Sequence, residues 1–371
     1  MKKKSIIFIC GNGDTLINFR KEFIQCFLER GYEVYAIAPE ISSSEHTKLS
    51  ELGVSYREVP FRRKGINPIE FIRSIYLIYI EIDNIKPDLV FSYTHKSVVI
   101  GSIASRFARV KGIYSMITGR GHIFDKETLF KRLRCFFGVL SFRFSLKYND
   151  KVFFQNPDDI KLFLRAGALK KNKVIRVNGS GVNLDYYEET ELPENLIFLC
   201  AARLLKSKGL VEFAEAFKLF KSEFPSSRAL LVGSPDDHDD SVPLEEIKAE
   251  WKNRFGLEYL GHFSDIREAI KLSSVFVLLS YNEGTPRSVL EAMAMGRPVL
   301  TTDVPGCRET VLNGRNGFLA KVRDPVDTAR LMKKFTTKEC RKSFGIESRK
   351  LCEEKFDVHK VNQVLIQNMK I

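Results

Sequence analysis

Short apolar runs alternate along the chain with longer segments whose apolar positions recur at helical spacing. S-I-I-F-I-C (5–10) reads as a buried strand, and the segment from about Ile17 to Arg30 has helical periodicity and stops at Gly31. E-V-Y-A-I-A (33–38) predicts a second strand, halted by Pro39. An amphipathic helix ending near Gly53, a strand near 54–59, a helix over 69–82 and a strand over 86–93 follow. Strand and helix in strict alternation predict a parallel sheet with helices on both faces.

The rhythm then restarts. N-L-I-F-L-C-A-A (195–202) reads as a strand, Gly209 to Lys221 as a helix and R-A-L-L-V-G (228–233) as a strand. L-E-Y-L-G (257–261), V-F-V-L-L-S (275–280) and R-P-V-L-T-T (297–302) continue the series. The turn-rich N-G-S-G-V and the acidic E-E-T-E-L-P-E between 176 and 195 mark a linker. The expected class is therefore α/β, with two doubly wound domains facing across a cleft. In such sheets ligands bind beyond the carboxyl ends of the strands.

Composition fits this picture: 371 residues suit about two domains. Charge adds something new. Residues 1–190 carry 31 Lys and Arg against 20 Asp and Glu, a net +11, whereas the rest carries 28 against 26, a net +2. A basic first half predicts an anionic partner such as nucleic acid, a phosphorylated substrate or a membrane surface. The seven cysteines show neither a C-x-x-C pair nor zinc spacing, a pattern of a reducing compartment. M-K-K-K-S-I-I-F-I-C reads as a first strand and not a leader, and no apolar run reaches the roughly 18 residues of a spanning helix. A cytoplasmic protein that touches a membrane from outside is expected.

One segment sharpens that expectation. Over 126–147, Lys131, Arg132, Arg134, Arg143 and Lys147 interleave with Phe130, Leu133, Phe136, Phe137, Phe142 and Phe144. Such a helix either packs on the sheet with its cations in solvent, or lies on an anionic bilayer.

Three constellations carry chemistry. C-G-N-G-D-T (10–15) joins a strand to a helix, and its Gly11 and Gly13 let backbone N–H groups approach an anion. Leu16 stands where a dinucleotide fingerprint needs a third glycine, and no P-loop occurs. A-R-L-L-K-S-K-G (202–209) follows the first strand of the second half; Arg203 as a fork and Lys208 as a point charge suit a diphosphate. Y-N-E-G-T-P-R-S-V-L-E (281–291) follows another strand, with Thr285 predicted as N-cap and Pro286 as first helical residue. Glu283 then lies in the loop and Glu291 nearly two turns inside the helix, so the two form no carboxylate dyad. The helix start, with N–H groups at Arg287 and Ser288, is itself an anion site. P-D-D-H-D-D (235–240) reads as a solvated loop and not as a metal site.

These residues, in this order, resemble family 4 glycosyltransferases: R-L-L-K-S-K-G (203–209), Y-L-G-H-F-S-D-I (259–266), the run from Glu283 to Glu309 with its E-x7-E pair, and N-G-R-N-G-F-L (313–319). G-N-G-D-T-L-I-N-F-R (11–20) and S-M-I-T-G-R-G-H-I-F (115–124) match more loosely. The subset resembled acts on lipid-linked oligosaccharides in bacterial glycan assembly, through a retaining mechanism on the GT-B fold.

The resemblance implies a donor-binding domain over 181–355. It also implies an acceptor-binding domain over 1–180, with the C-terminal helix 356–371 packed back on it. Arg203 and Lys208 would neutralise the donor diphosphate, and Glu283 would hold hydroxyls of the transferred sugar. Backbone groups of Gly284, Thr285, Pro286, Arg287 and Ser288 would assist, and Glu291 would accept from ribose hydroxyls. Gly261, His262 and Phe263 would border the base, and Gly11 and Gly13 would approach the donor phosphates. Where many members carry a histidine in the first half, this chain has Thr118, with His122 four residues on and His95 after an earlier strand. No metal or other cofactor is implied, because the cations and the helix start supply the positive field. The implied partners are a nucleotide sugar, UDP-linked by resemblance, a polyprenyl-diphosphate-linked glycan, and the inner face of the cytoplasmic membrane met by the basic half. A nucleotide-sugar 2-epimerase of the same fold and a non-catalytic carbohydrate-binding protein are the alternatives.

Overall fold

A computed structural model describes residues 3–61, 67–124, 128–236 and 240–371. The chain divides into two compact units, residues 1–180 with 361–371 and residues 181–360. The division at Ser180 lies inside the turn-rich N-G-S-G-V segment, and the return to the first unit begins at Val361, so 356–360 stay with the second unit.

In the first unit β1 (Ser5–Ile9), β2 (Glu33–Ala38), β3 (Val54–Glu58), β4 (Leu89–Tyr93), β5 (Gly112–Ile117), β6 (Lys151–Phe154) and β7 (Val174–Arg176) form one parallel sheet. Its spatial order is β3-β2-β1-β4-β5-β6-β7. β1 is central and buried along its whole length, which is why it reads as an unbroken apolar run. The helix Asp14–Leu28 lays Phe23 and Phe27 edge-on against Phe8 of β1. The terminal helix Val358–Met369 contributes Leu365, Ile366 and Met369 to the same core, and the carbonyl of Met369 accepts from the Tyr114 hydroxyl at 2.9 Å.

In the second unit β8 (Ile197–Ala201), β9 (Arg228–Val232), β10 (Leu257–Tyr259), β11 (Val275–Leu278), β12 (Val299–Thr302) and β13 (Gly317–Ala320) are again all parallel. The order β10-β9-β8-β11-β12-β13 repeats the topology of the first sheet. The acidic linker is tied down by two buried arginines. Arg297 donates to the carbonyls of Thr190 and Glu191, and Arg341 donates to the carbonyl of Glu194.

Both sheets reverse winding direction once, between β1 and β4 in the first unit and between β8 and β11 in the second. Two crossovers leave such a point in opposite directions, so their loops part and open a crevice at the strands' carboxyl ends. All the chemistry-bearing stretches above except 259–263 and the 235–240 loop follow strands that flank one of these two points or the adjacent β5.

The basic aromatic segment forms the helix Leu129–Leu146, capped by the Thr128 side chain. The packed reading holds for one face of this helix, and the other face stands in solvent. Cys135, Phe142 and Leu146 are buried against the first unit, while Leu129, Leu133, Phe136, Phe137, Leu140 and Phe144 are exposed. Nothing is described of the Phe130 side chain. Among the described residues no helix is long and apolar enough to cross a membrane.

Candidate functional site

At the switch point of the second unit, the loops after β8 and β11 meet. Gly209 packs so closely on the Leu279 backbone that a Cβ there would overlap the Leu279 carbonyl, and its φ of 71° suits only glycine without strain. The Tyr281 N–H donates to the Ser207 carbonyl at 2.9 Å. This seam sets the Lys208 ammonium directly on the Glu283 carboxylate. The same oxygen, Oε1, accepts from the Ser280 hydroxyl at 2.8 Å. Both partners of the pair are largely buried, so removing one would leave the other without its counter-charge.

The loop carrying Glu283 is braced from behind. Gly306, after β12, lies where any Cβ would overlap the carbonyls of Glu283 and Gly284, and the Glu283 N–H donates to Pro305 at 3.2 Å. Thr302 of β12 donates to the Ser280 carbonyl. Sequence reading named neither Ser280 nor Gly306; a serine three residues before a glutamate at a strand end was the available signal.

The helix that follows spans Arg287–Ala294, one residue later than predicted. Pro286 is the cap, with extended backbone (ψ 114°) and no side-chain cap, so Thr285 is not the N-cap and Pro286 is not the first helical residue. The shift leaves Arg287 and Ser288 as the first two helical positions, whose N–H groups have no intrahelical acceptor. At the helix start and one turn on, Arg287 and Glu291 share a face: Arg287 Nε donates to Glu291 Oε1 at 3.0 Å and its Nη1 to the Gly181 carbonyl at 2.5 Å. The Tyr187 hydroxyl donates to the same Oε1 at 2.9 Å. Glu291 Oε2 makes no hydrogen bond among the described residues. Burial raises the Glu291 pKa above its ordinary value, and Arg287 and Tyr187 oppose the rise. Tyr187 was not named from sequence, because a partner 104 residues away leaves no local trace.

Arg203 is half-exposed and pairs with Asp236 at 2.5 Å. Asp240 takes the Ser207 N–H on its carboxylate at 2.9 Å. The acidic loop is therefore not simply solvated, as sequence suggested; two of its carboxylates hold the cationic loop. Residues 237–239 lie outside the described residues. Gly261 (φ 82°) accepts from the Gly233 N–H after β10, His262 is exposed, and Phe263 packs on the core.

In the first unit, Gly11 and Gly13 follow β1 at the switch point. Gly13 is pressed against Ile41, so a side chain there is excluded. The Thr15 hydroxyl donates to the Asn12 carbonyl at 2.6 Å and lies 2.9 Å from the Tyr93 hydroxyl, tying the loop to β4. His95 begins the next helix, after Thr94 with the unusual φ of 69°. Its Nε2 donates to the Gly119 carbonyl at 2.5 Å, and its ring fills the space a side chain at Gly121 would need. Thr118 directly follows β5 in this same turn. The His122 side chain lies outside what the structure describes. So His95 and the 118–121 turn are brought together, as are Lys208 with Glu283 and Arg287 with Glu291. Among the described residues no group of His, Cys, Asp and Glu is arranged to hold a metal ion.

Residues 187–354 match the family described as glycosyl transferases group 1, and residues 8–156 the family described as glycosyl transferase 4-like. The chain is 30% identical over 335 residues to the N,N'-diacetylbacillosaminyl-diphospho-undecaprenol alpha-1,3-N-acetylgalactosaminyltransferase of Campylobacter jejuni, covering 86% of each protein. It is 27% identical over 280 residues to the UDP-Gal:alpha-D-GlcNAc-diphosphoundecaprenol alpha-1,3-galactosyltransferase of Escherichia coli, covering 72% of this chain and 70% of that one. In fold it is similar to Anabaena Alr3699/HepE solved with UDP and glucose, with a TM-score of 0.78 over 98% of this chain and 99% of that one at 17% identity.

Proposed function

The chain belongs to the group 1, family 4-like glycosyltransferases of GT-B fold, and from that premise we propose that it moves a sugar from a UDP-sugar to a hydroxyl of a polyprenyl-diphosphate-linked saccharide. The observation that carries this reading is the Lys208–Glu283 pair at the switch point of the second unit, beside the start of the helix Arg287–Ala294. A diphosphate leaving group needs positive charge, and a transferred sugar needs acceptors for its hydroxyls. Lys208 and Arg203 supply the first, with the Arg287 and Ser288 N–H groups. Glu283 supplies the second. Glu291, held by Arg287 and Tyr187 through one oxygen, offers the other to a ribose hydroxyl.

In the proposed step the bond between the anomeric carbon and the β-phosphate oxygen breaks as the acceptor oxygen bonds to that carbon on the same face. The acceptor proton passes to the departing phosphate oxygen, leaving UDP. Glu283 is engaged with Lys208 and Ser280, which suits a sugar-holding role better than that of a nucleophile. Trapping a glycosyl group on Glu283 would overturn this route. The leaving group's charge is met by protein cations, so no metal is needed, and the transferred sugar is a hexose or N-acetylhexosamine. His95, Thr118 and His122 are the first-unit candidates near the acceptor. The exposed apolar face of the helix Leu129–Leu146 brings the first unit to an anionic membrane surface, where a polyprenyl-linked acceptor resides.

A thermal-shift panel of nucleotide sugars, with EDTA present, tests the donor half of this reading, since a ligand bound only by the folded state raises its melting point. UDP-sugars are expected to raise it and Arg203→Ala to remove most of the rise. Transfer to a polyprenyl-diphosphate-linked saccharide in the same buffer tests the rest. No shift with any nucleotide sugar, or a strict metal requirement, would refute it.

A further inference from the structure

The first unit has a second concave feature, at the opposite end of its strands from Gly11, Gly13, His95 and Thr118. A cavity of about 460 Å³ opens where β1, β4 and β5 begin and where the helices Pro68–Ile85 and His95–Phe107 end. Five cations line it: Lys3, Lys4, Lys86, Arg109 and Lys111. Two carboxylates oppose them. Asp88 is committed, accepting from the Ser5 N–H at 3.1 Å and facing Lys111 Nζ at 3.5 Å, and Asp83 is the other.

Two of the cations stand where the backbone resists them. Lys86 (φ 51°) and Arg109 (φ 56°) each follow the end of a helix in the left-handed conformation, a place glycine usually fills because a Cβ there is strained. Both left-handed positions carry a long cation, and both cations line one cavity. A cation near a helix C-terminus is favourable by itself, because each terminus carries about half a negative charge. That accounts for one charge per helix at most. Lys3, Lys4 and Lys111 precede strands and lie on no helix. Set against two carboxylates and two helix termini, five cations leave about two units of positive charge.

We propose that this cavity is a second anion site, distinct from the site of sugar transfer and built for a compact multivalent phosphate. The volume suits two or three linked phosphoryl groups, and the lysines are spread around it as point charges and not as one fork. The phosphate belongs either to a free polyphosphate or to a lipid headgroup, and both present the same chemistry to the five cations.

Lysine-acylation footprinting by mass spectrometry on the full chain tests the proposal site by site. The probes are inorganic tripolyphosphate, and separately vesicles of phosphatidylglycerol. Protection of Lys3, Lys4, Lys86 and Lys111 by tripolyphosphate identifies a soluble ligand; protection by vesicles alone identifies the headgroup. The variant Lys86→Gly/Arg109→Gly removes two charges while relieving the left-handed strain, so it folds. In it, protection of Lys3, Lys4 and Lys111 is expected to need at least tenfold more probe. Undiminished protection in the variant, or protection of these lysines by neither probe in the parent, overturns the site. Neither result bears on sugar transfer, which Lys208 protection by UDP reports in the same experiment.

Discussion

Lys208 and Glu283 are each largely buried, and each is the other's counter-charge. Removing one partner therefore strands the other, which costs more than the pair contributes. Lys208→Ala should lower the urea midpoint by about 1–3 kcal/mol of stability, and Lys208→Ala/Glu283→Gln should recover most of it. Transfer activity should behave differently, falling about 100-fold or more in both variants, because a neutral amide does not restore charge to the leaving diphosphate. Parallel recovery of stability and activity would mean that the pair is only structural. At Glu291 the sign of the pH effect is fixed by burial. Its native pKa lies above the ordinary 4.5, so the native state keeps its proton to higher pH than the unfolded chain does. The group's contribution favours folding below about pH 4.5 and is lost as pH rises through the raised native value. Urea midpoints measured from acid to neutral pH should fall less steeply in Glu291→Gln than in the parent; equal slopes would show that Arg287 holds the carboxylate ionised throughout. The residues that meet in these clusters were partly readable in advance. Glu283, Lys208 and Glu291 stand in local patterns, whereas Ser280 and Tyr187 matter through contacts that only the folded chain creates.

At the level of elements, sequence patterns work where an apolar run is long and bounded. β1, β8 and β11 are buried throughout, β4 and β9 after their first residue and β2 over its second half, and each falls where the pattern predicts it. β6 (K-V-F-F) and β7 (V-I-R) are too short to show a period, and β5 carries polar Ser115 among buried neighbours, so none of the three announces itself. The helix that carries Glu291 starts one residue late: Thr285-Pro286 carries a cap signature, but Pro286 is held extended. What holds this loop is the turn after β12. Gly306 has φ 82° and touches the Glu283 and Gly284 carbonyls through the space a side chain would occupy. Gly306→Ala should cost about 2 kcal/mol or more through strain and overlap. Because the loop must move to admit the methyl group, activity should drop at least tenfold beyond the loss of folded protein. Gly314 has nearly the same φ, 81°, with open space around it, so Gly314→Ala should cost stability through strain alone. Identical activity per folded molecule in the two variants would dismiss the brace.

For the whole molecule, the question is what a chain with no spanning helix among its described residues does with six large apolar side chains of one helix in water. They lie along one face of the helix Leu129–Leu146, whose other face is buried in the first unit, and Arg132, Arg143 and Lys147 flank them. Lys147 Nζ sits 4.2 Å above the Phe144 ring. The charge asymmetry puts +11 on residues 1–190 and +2 on the rest, so an anionic surface would attract the half that carries this helix. Attraction and insertion separate by their response to salt. Each basic residue near an anionic leaflet contributes about 1 kcal/mol at low salt, a contribution that screening over roughly 8–10 Å removes. Apolar insertion survives screening. Co-sedimentation with phosphatidylglycerol vesicles should therefore be strong at low salt and weaken at high salt without vanishing, while phosphatidylcholine vesicles retain only the residue that insertion supplies. Phe136→Ser/Phe137→Ser, changing two exposed rings, should leave the melting temperature nearly unchanged and abolish the salt-resistant part. If that variant binds as the parent does at every salt concentration, the exposed face is not what meets the membrane.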